Sequence, residues 1–309
     1  MGDAPSLLLV AFGVGIVIGL TGMGGGALMT PALIFLGIPP TTAVANDLVA
    51  ASVNKSVGAA VHWRSGSPNL HLVKWLLIGS VPFAFAGAWI VRALGSDAEQ
   101  QSFLTLAIGV TLVLTAATFV IRMYLELSRG ILDDPDAPDP EVRPLPTLLV
   151  GAVGGLLVGI TSVGSGSLIM VSLVLLYPAL SAKRLVGTDL VQAIPLVIAA
   201  SVSHVLVSGI DWAVLLPLVL GGSPGTYLGA RLANIVPQSV TRRGIAIVLT
   251  LTGLAMLGVD PVWVGLIGGA LVILGPVGWG ILRRAHGVPA FDHLPGRLRR
   301  DTATSNEKG

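Results

Sequence analysis

Residues Gly19–Pro31 read GLTGMGGGALMTP, and they interrupt an apolar run that begins near Pro5 and resumes to about Gly37. The arms are 16 residues before the break and about 11 after it, or roughly 24 and 17 Å of helix at 1.5 Å per residue. Neither arm comfortably crosses a hydrocarbon core of about 30 Å. Gly22, Gly24, Gly25 and Gly26 remove four Cβ atoms in close succession and open backbone angles that helices do not use. The chain is therefore expected to enter the membrane, unwind at depth and leave again. Unwound backbone at that depth must be buried in protein or line a wet cavity. The helix resuming at Ala27 would direct its unpaired N–H groups and positive dipole end at that cavity, which suits an anion.

The element occurs twice. Gly159–Val171 reads GITSVGSGSLIMV, at an offset of 140 that becomes 142 further on. At the second offset Asp47 matches Asp189, His62 matches His204, Gly79 matches Gly221, Pro82 matches Pro224 and Gly87 matches Gly229. Chance supplies Gly and Ala matches in so apolar a chain, but not both aspartates, histidines and prolines in register. The chain is a duplicated unit. Two Gly-rich breaks at matched positions, each between short apolar arms, outweigh the plainer reading that the glycines only allow tight helix packing.

Composition sets the class. Over 309 residues the chain is 53% hydrophobic and 11% charged, with a mean hydropathy of +0.86, far from a soluble domain. The expected fold is an all-α polytopic membrane protein of two inverted repeats. Each repeat is a broken, re-entrant or twice-crossing Gly-rich hairpin plus three spans, and one extra span follows. The chain has no cysteine, which excludes disulfides and thiolate metal sites. Five scattered histidines show no metal-ligand spacing. No cofactor, metal or nucleic-acid partner is expected, and the oligomeric state is not legible. The N-terminal run has no basic residue before it, so a cleaved signal peptide is not expected.

The expected organisation is repeat 1 over 1–122, an acidic Pro-rich linker over 123–145 and repeat 2 over 146–257. An extra span over 258–282 and a basic tail over 283–309 complete it. Within repeat 1, spans read at 43–63, 70–93 and 100–122; within repeat 2, a broken hairpin reads at 146–178 and spans at 183–207, 212–234 and 240–257. Lys and Arg near span ends set the orientation. Arg283, Arg284, Arg297, Arg299 and Arg300 place the tail in the cytoplasm. Alternating backwards puts the turns near Arg242, Lys183 and Arg64, and the linker, on the same side. Only Arg92 is misplaced, a pattern that favours inverted repeats over parallel ones. Inverted repeats with paired breaks point to a secondary transporter with its site at the midplane.

Polar residues inside the spans are the candidate site. Asp47, Asn54, Lys55, Gly58 and His62 fall within about 100° of one helical face, and such a stripe faces protein or water because charge facing lipid is costly. Lys55 is too deep to snorkel easily, and its counterpart is Val197. It reads as a substrate or counter-ion residue, or else as a structural partner of Asp47. The hydroxyls of Thr21, Thr161, Ser162 and Ser165, with Gly164 and Gly166, could serve an anion or merely satisfy freed carbonyls. Asp47, His62, Asp189 and His204 are candidates for gating or coupling, and the histidines titrate near neutral pH. For each histidine the plain alternative is an interfacial residue bonded to a carbonyl.

At GLTGMGGGALMTPALIFLGIPPTTAVANDL, its echo at 159–190, and the GSVP and GGSPGTYLGA segments, the chain resembles the sulfite exporter TauE/SafE family, also called the 4-toluene sulfonate uptake permease family. The resemblance covers nearly all of 5–257. It implies a multi-pass cell-membrane transporter of sulfite, sulfonates or related small organic anions. Repeat 2 departs from the family pattern, with Ser165 and Ser167 at the Gly25 and Ala27 positions and Val171 at that of Pro31.

The sequence thus predicts a secondary transporter, not an enzyme. Its partners are a small anionic substrate, the lipid bilayer and a coupling proton or cation. A passive anion channel is the nearest rival. An intramembrane serine hydrolase using Ser165 with His204 is a third reading, weakened by the absence of a matching serine at Gly25.

Overall fold

The computed structural model of the chain describes residues 4–21, 25–62, 68–129, 140–164, 166–233, 235 and 238–285, and every regular element among them is an α-helix. The first repeat supplies α1 (Ala4–Thr21), α2 (Gly26–Phe35), α3 (Pro40–His62), α4 (Leu70–Arg92) and α5 (Asp97–Arg129). The second supplies α6 (Pro144–Thr161), α7 (Leu168–Leu176), α8 (Ala182–Ser208), α9 (Trp212–Leu232) and α10 (Gln238–Met256), and α11 (Pro261–Ala285) follows. Seven of these helices are long and apolar enough to cross a membrane. The polar faces of α3 and α10 keep those two out of that set. From Gly265 onward the chain forms a second compact unit, which holds most of α11.

One boundary differs from expectation. α5 runs on to Arg129 because Met123, Leu125, Glu126 and Leu127 are good helix formers, so the helix outlasts the apolar run that marked it. The acidic linker falls mostly outside the described residues, as does the basic tail beyond Ala285.

Each break is the tip of a hairpin with unequal arms. Tyr177, just past α7, shares a 2.6 Å hydrogen bond with Thr147 in the first turn of α6 and accepts one at 2.9 Å from the backbone N–H of Arg143. Further in, a Cβ on Gly154 would strike Ile169 of α7. So α7 returns along α6. In the first hairpin Gly25 lies against Ile18, and Met29 and Ala11 meet at Gly222, so α2 returns along α1. The returning arms have 10 and 9 residues, about 15 and 14 Å, half of what a crossing needs.

The repeats are interlocked through glycine seams. α1 packs along α9 and α6 along α4, each pair running parallel. Gly151, Gly155 and Gly159 of α6 press on the carbonyls of Leu76, Ser80 and Ala84. In the other seam Gly221, Gly225 and Gly229 of α9 press on those of Leu8, Phe12 and Ile16. The contacts match residue by residue across the duplication: Gly79 on Leu148 with Gly221 on Leu8, and Gly155 on Ser80 with Gly15 on Gly222. Between helices in lipid there is little hydrophobic drive, so backbone approach of this kind supplies the dispersion energy that holds them.

The remaining equivalent helices pair with each other in antiparallel fashion. Pro68 and Asn69, just past α3, lie against Gly187 and Thr188 near the start of α8; the Asn69 N–H donates to Thr188 Oγ1 at 3.0 Å. Gly109 of α5 meets Leu257, while Val113 meets Gly253 of α10. Leu72, Leu76, Leu104, Ile108, Leu112, Ile169 and Leu173 form the main buried cluster around these pairs.

Candidate functional site

The two breaks touch. A Cβ on Gly26, at the head of α2, would run into the backbone carbonyl of Ser162, the residue that ends α6. Ser162 stands at φ 62, alone among described non-glycine residues in having a positive φ. A serine there costs of the order of 1 kcal/mol, and its side chain shows what holds it. Ser162 Oγ donates to Asp47 Oδ2 at 2.8 Å, and Thr30 Oγ1 donates to the same oxygen at 2.6 Å. Asp47 of α3, 2% exposed, therefore ties the returning arm of the first hairpin to the tip of the second.

The equivalent aspartate is held differently. Asp189 of α8 is buried, and a Cβ on Gly166 of the second break would lie 3.6 Å from its Oδ2. Gly25 stands likewise to Asp47, at 3.7 Å from Oδ1. Each break thus presents a bare glycine to the aspartate of its own repeat. Asp189 receives a 3.2 Å hydrogen bond from Gln192 on its own helix, and neither Thr30 nor Ser162 has a hydroxyl counterpart in its repeat. Gln192 is itself fully buried, with Oε1 unpartnered.

Lys55 lies between them electrostatically. Half-buried on α3, its ammonium is attracted first by Asp189 and then by Asp47. Both aspartates therefore act on Lys55. Asn54, its neighbour, accepts a 2.9 Å hydrogen bond from Ser223 Oγ of α9, and a Cβ on Gly222 would lie 3.9 Å from both Asn54 Nδ2 and Met29 Cε. Arg122 of α5 also acts on Asp189.

The short helices begin without help. Gly25 and Ser167 head α2 and α7, and neither side chain caps the first turn. Uncapped N–H groups and two positive helix ends are therefore presented near the junction.

Other expected residues take structural duties. Thr21 donates to the carbonyls of Val17 and Ile18. Thr161 donates to that of Leu157 and accepts from the Val163 N–H. Both hydroxyls thus bond carbonyls of their own helices. Gly164 stands at φ 103, where its lack of a Cβ lets the second break turn. His204, 2% exposed, is bonded through Nε2 to the Gly159 carbonyl at 2.7 Å, which is carbonyl bonding within the protein and not at its surface. Gly22, Gly24, Ser165 and the His62 side chain lie outside the described residues.

Sequence reasoning missed Thr30 and Ser223. Thr30 carried a usable signal, since it sits one turn past the break, immediately before Pro31.

Comparison with known proteins shows the family. The family model described as "Sulfite exporter TauE/SafE" matches residues 7–256. The chain belongs to the sulfite exporter TauE/SafE family. Among curated relatives, the probable membrane transporter protein YjnA of Bacillus subtilis is 36% identical over 253 residues, covering 82% of this chain and 99% of that one. YdhB of the same organism, also a probable membrane transporter protein, is 27% identical over 252 residues, covering 81% and 99%. A probable membrane transporter protein of Methanocaldococcus jannaschii is 30% identical over 200 residues, covering 62% and 68%. No solved structure matches the chain. With seven apolar helices of spanning length, this TauE/SafE member is a multi-pass membrane protein.

Proposed function

We propose that this protein is a secondary transporter for small anions, sulfite or sulfonates among them, working by alternating access around the junction of the two breaks. One observation carries the reading. Two helix starts without side-chain caps lie beside the two buried aspartates, and the charges of both aspartates act on Lys55. A helix N-terminus offers roughly half a unit of positive charge, and Lys55 adds a full one in surroundings of low dielectric. The Gly25 and Gly166 positions leave backbone open to a ligand beside each aspartate. The bonding of His204 to Gly159 gives the hydrolase reading no support.

The antiparallel pairs α3–α8 and α5–α10 support repeats of opposite orientation. On that basis cysteines placed at Asp136 and Gly209 should label from opposite sides of intact cells. Labelling of both from one side would refute it.

The function itself is tested in proteoliposomes with labelled sulfite, sulfoacetate and a simple carboxylate. Saturable uptake and counterflow of at least one sulfur oxyanion is the expected result; flux that never saturates and shows no counterflow would make the protein a channel. Lys55→Met should raise the half-saturation concentration at least about tenfold, or 1.4 kcal/mol. Because this change strands Asp189, the double variant with Asp189→Asn should recover folding but not anion affinity. Recovery of both would remove Lys55 from the site.

A further inference from the structure

The duplication places two aspartates at equivalent positions, and the molecule treats them unequally. Asp47 Oδ2 is held by two hydroxyls from different hairpins, Thr30 and Ser162. At an offset of 140 the counterparts of those donors are Met170 and Gly22, so neither hydroxyl has an equivalent beside Asp189. What Asp189 has is a long bond from Gln192, the open backbone of Gly166 beside Oδ2, and the charge of Lys55. Lys55 in turn has no equivalent, since Val197 stands at its counterpart.

We propose that transport is proton-coupled through Asp189, one proton entering on its carboxylate with each monovalent anion that takes over Lys55. The proposal rests on the anion site described above. Its logic is charge balance. An anion drawn to Lys55 removes the counter-charge of Asp189, and an uncompensated carboxylate away from water is costly. Asp47 keeps its two hydroxyl donors through such an exchange; among the described residues Asp189 has the Gln192 bond in their place. Protonation cancels the cost. With Asp189 as carboxylate and Lys55 as ammonium, the addition of one anion and one proton gives neutral Asp189 and an ammonium–anion pair. Net charge is zero before and after, and no bond other than the carboxyl O–H forms.

The surroundings permit this assignment. α8 packs against α3, α4, α6 and α7. From α3, Lys55 and Asp47 face the region, and the His62 side chain lies outside the described residues. α4 contributes His71 and Lys74 near its start, both exposed. Residues 144–161 and 168–176, which form α6 and α7, contain no titratable side chain. Arg122 acts on Asp189 from α5. On α8 itself, Lys183 and Arg184 precede Asp189, and His204 is committed to Gly159.

The test uses the full chain in proteoliposomes with the membrane potential clamped at zero. Labelled methanesulfonate serves as a probe that stays ionised across the pH range, with labelled sulfite beside it. An inward gradient of one pH unit should drive uptake toward about tenfold accumulation, the ratio one proton per anion sets. A pH dye trapped inside should record one proton arriving per methanesulfonate. Asp189→Asn should keep measurable counterflow, lose the accumulation and lose the proton movement. Wild-type counterflow that ignores the pH gradient, or proton-driven accumulation in Asp189→Asn, would overturn the coupling while leaving the anion site standing. Absence of counterflow for both anions would overturn the anion site and the coupling with it. Should Asp189→Asn fail to fold, the wild-type dye measurement decides alone: anion uptake without proton entry refutes the proposal.

Discussion

At four pairs of equivalent glycines the seams of the two repeats match, whereas the two breaks lying between them do not. Gly15, Gly19, Gly79, Gly87, Gly155, Gly159, Gly221 and Gly229 all press on backbone atoms of the facing helix. Backbone cannot step aside, so either half of the seam admits little change. At the breaks, side chains do the meeting, and a single difference such as glycine 22 against serine 162 redirects a hydroxyl to one aspartate only. The scaffold is symmetric because its chemistry leaves no latitude; the site diverged where latitude exists.

The largest effect expected from this comparison is at Gly26. Gly26→Ala would drive a methyl into the Ser162 carbonyl, and it should abolish transport and the monodisperse peak in size-exclusion chromatography. Gly25→Ala, one residue earlier, meets only the flexible end of Ile18 at 3.3 Å and Asp47 at 3.7 Å, and should remain folded. Equal behaviour of the two variants would mean that the breaks do not touch as described.

Next come the seams. Gly15→Leu and Gly155→Leu make equivalent insults, against the carbonyls of Gly222 and Ser80. Each should cost at least about 3 kcal/mol, the upper end of ordinary overpacking. The two thermal midpoints in detergent should fall together. A large drop in one and not the other would break the symmetry of the scaffold.

The smallest effects belong to the Asp47 tie. Thr30→Val removes one donor from a buried carboxylate and should cost about 1.5–3 kcal/mol, the range for hydrogen bonds to charged groups. Ser162→Gly removes the other donor but also relieves a left-handed backbone, which offsets about 1 kcal/mol. Thermal melts should therefore rank Thr30→Val as the more damaging. The reverse order would show that Ser162 is held there by something other than Asp47.

Much of this was legible in the sequence. The helix ends at Thr21 and Thr161, the helix starts at Gly26 and Leu168, and the long apolar helices followed from glycine spacing and apolar run length, which are local properties. Lys55 stood out for its depth. What stayed hidden depended on which parts meet. Nothing in the linear pattern joins Ser162 to Asp47, 115 positions away, or tells that Asp189 acts on Lys55 as well as Asp47. Thr21 and Thr161 looked like ligands because a hydroxyl bonded to its own helix and one facing a cavity read alike in sequence.

The interlocking of α1 with α9 also governs how the protein can be made. α1 leaves the ribosome first, carrying Gly15 and Gly19 on a face shaped for α9, yet α9 emerges roughly 200 residues later, at a synthesis rate of about 5–20 residues per second. For some tens of seconds at the slower rates, α1 must wait in lipid with its backbone groove unfilled. α4 waits only for α6, and the α4–α6 seam closes well before the chain is finished. The two seams, equal in the finished molecule, are therefore unequal in assembly. The first repeat released alone has neither seam, so it would be born as an orphan that membrane quality control can recognise by its two open grooves.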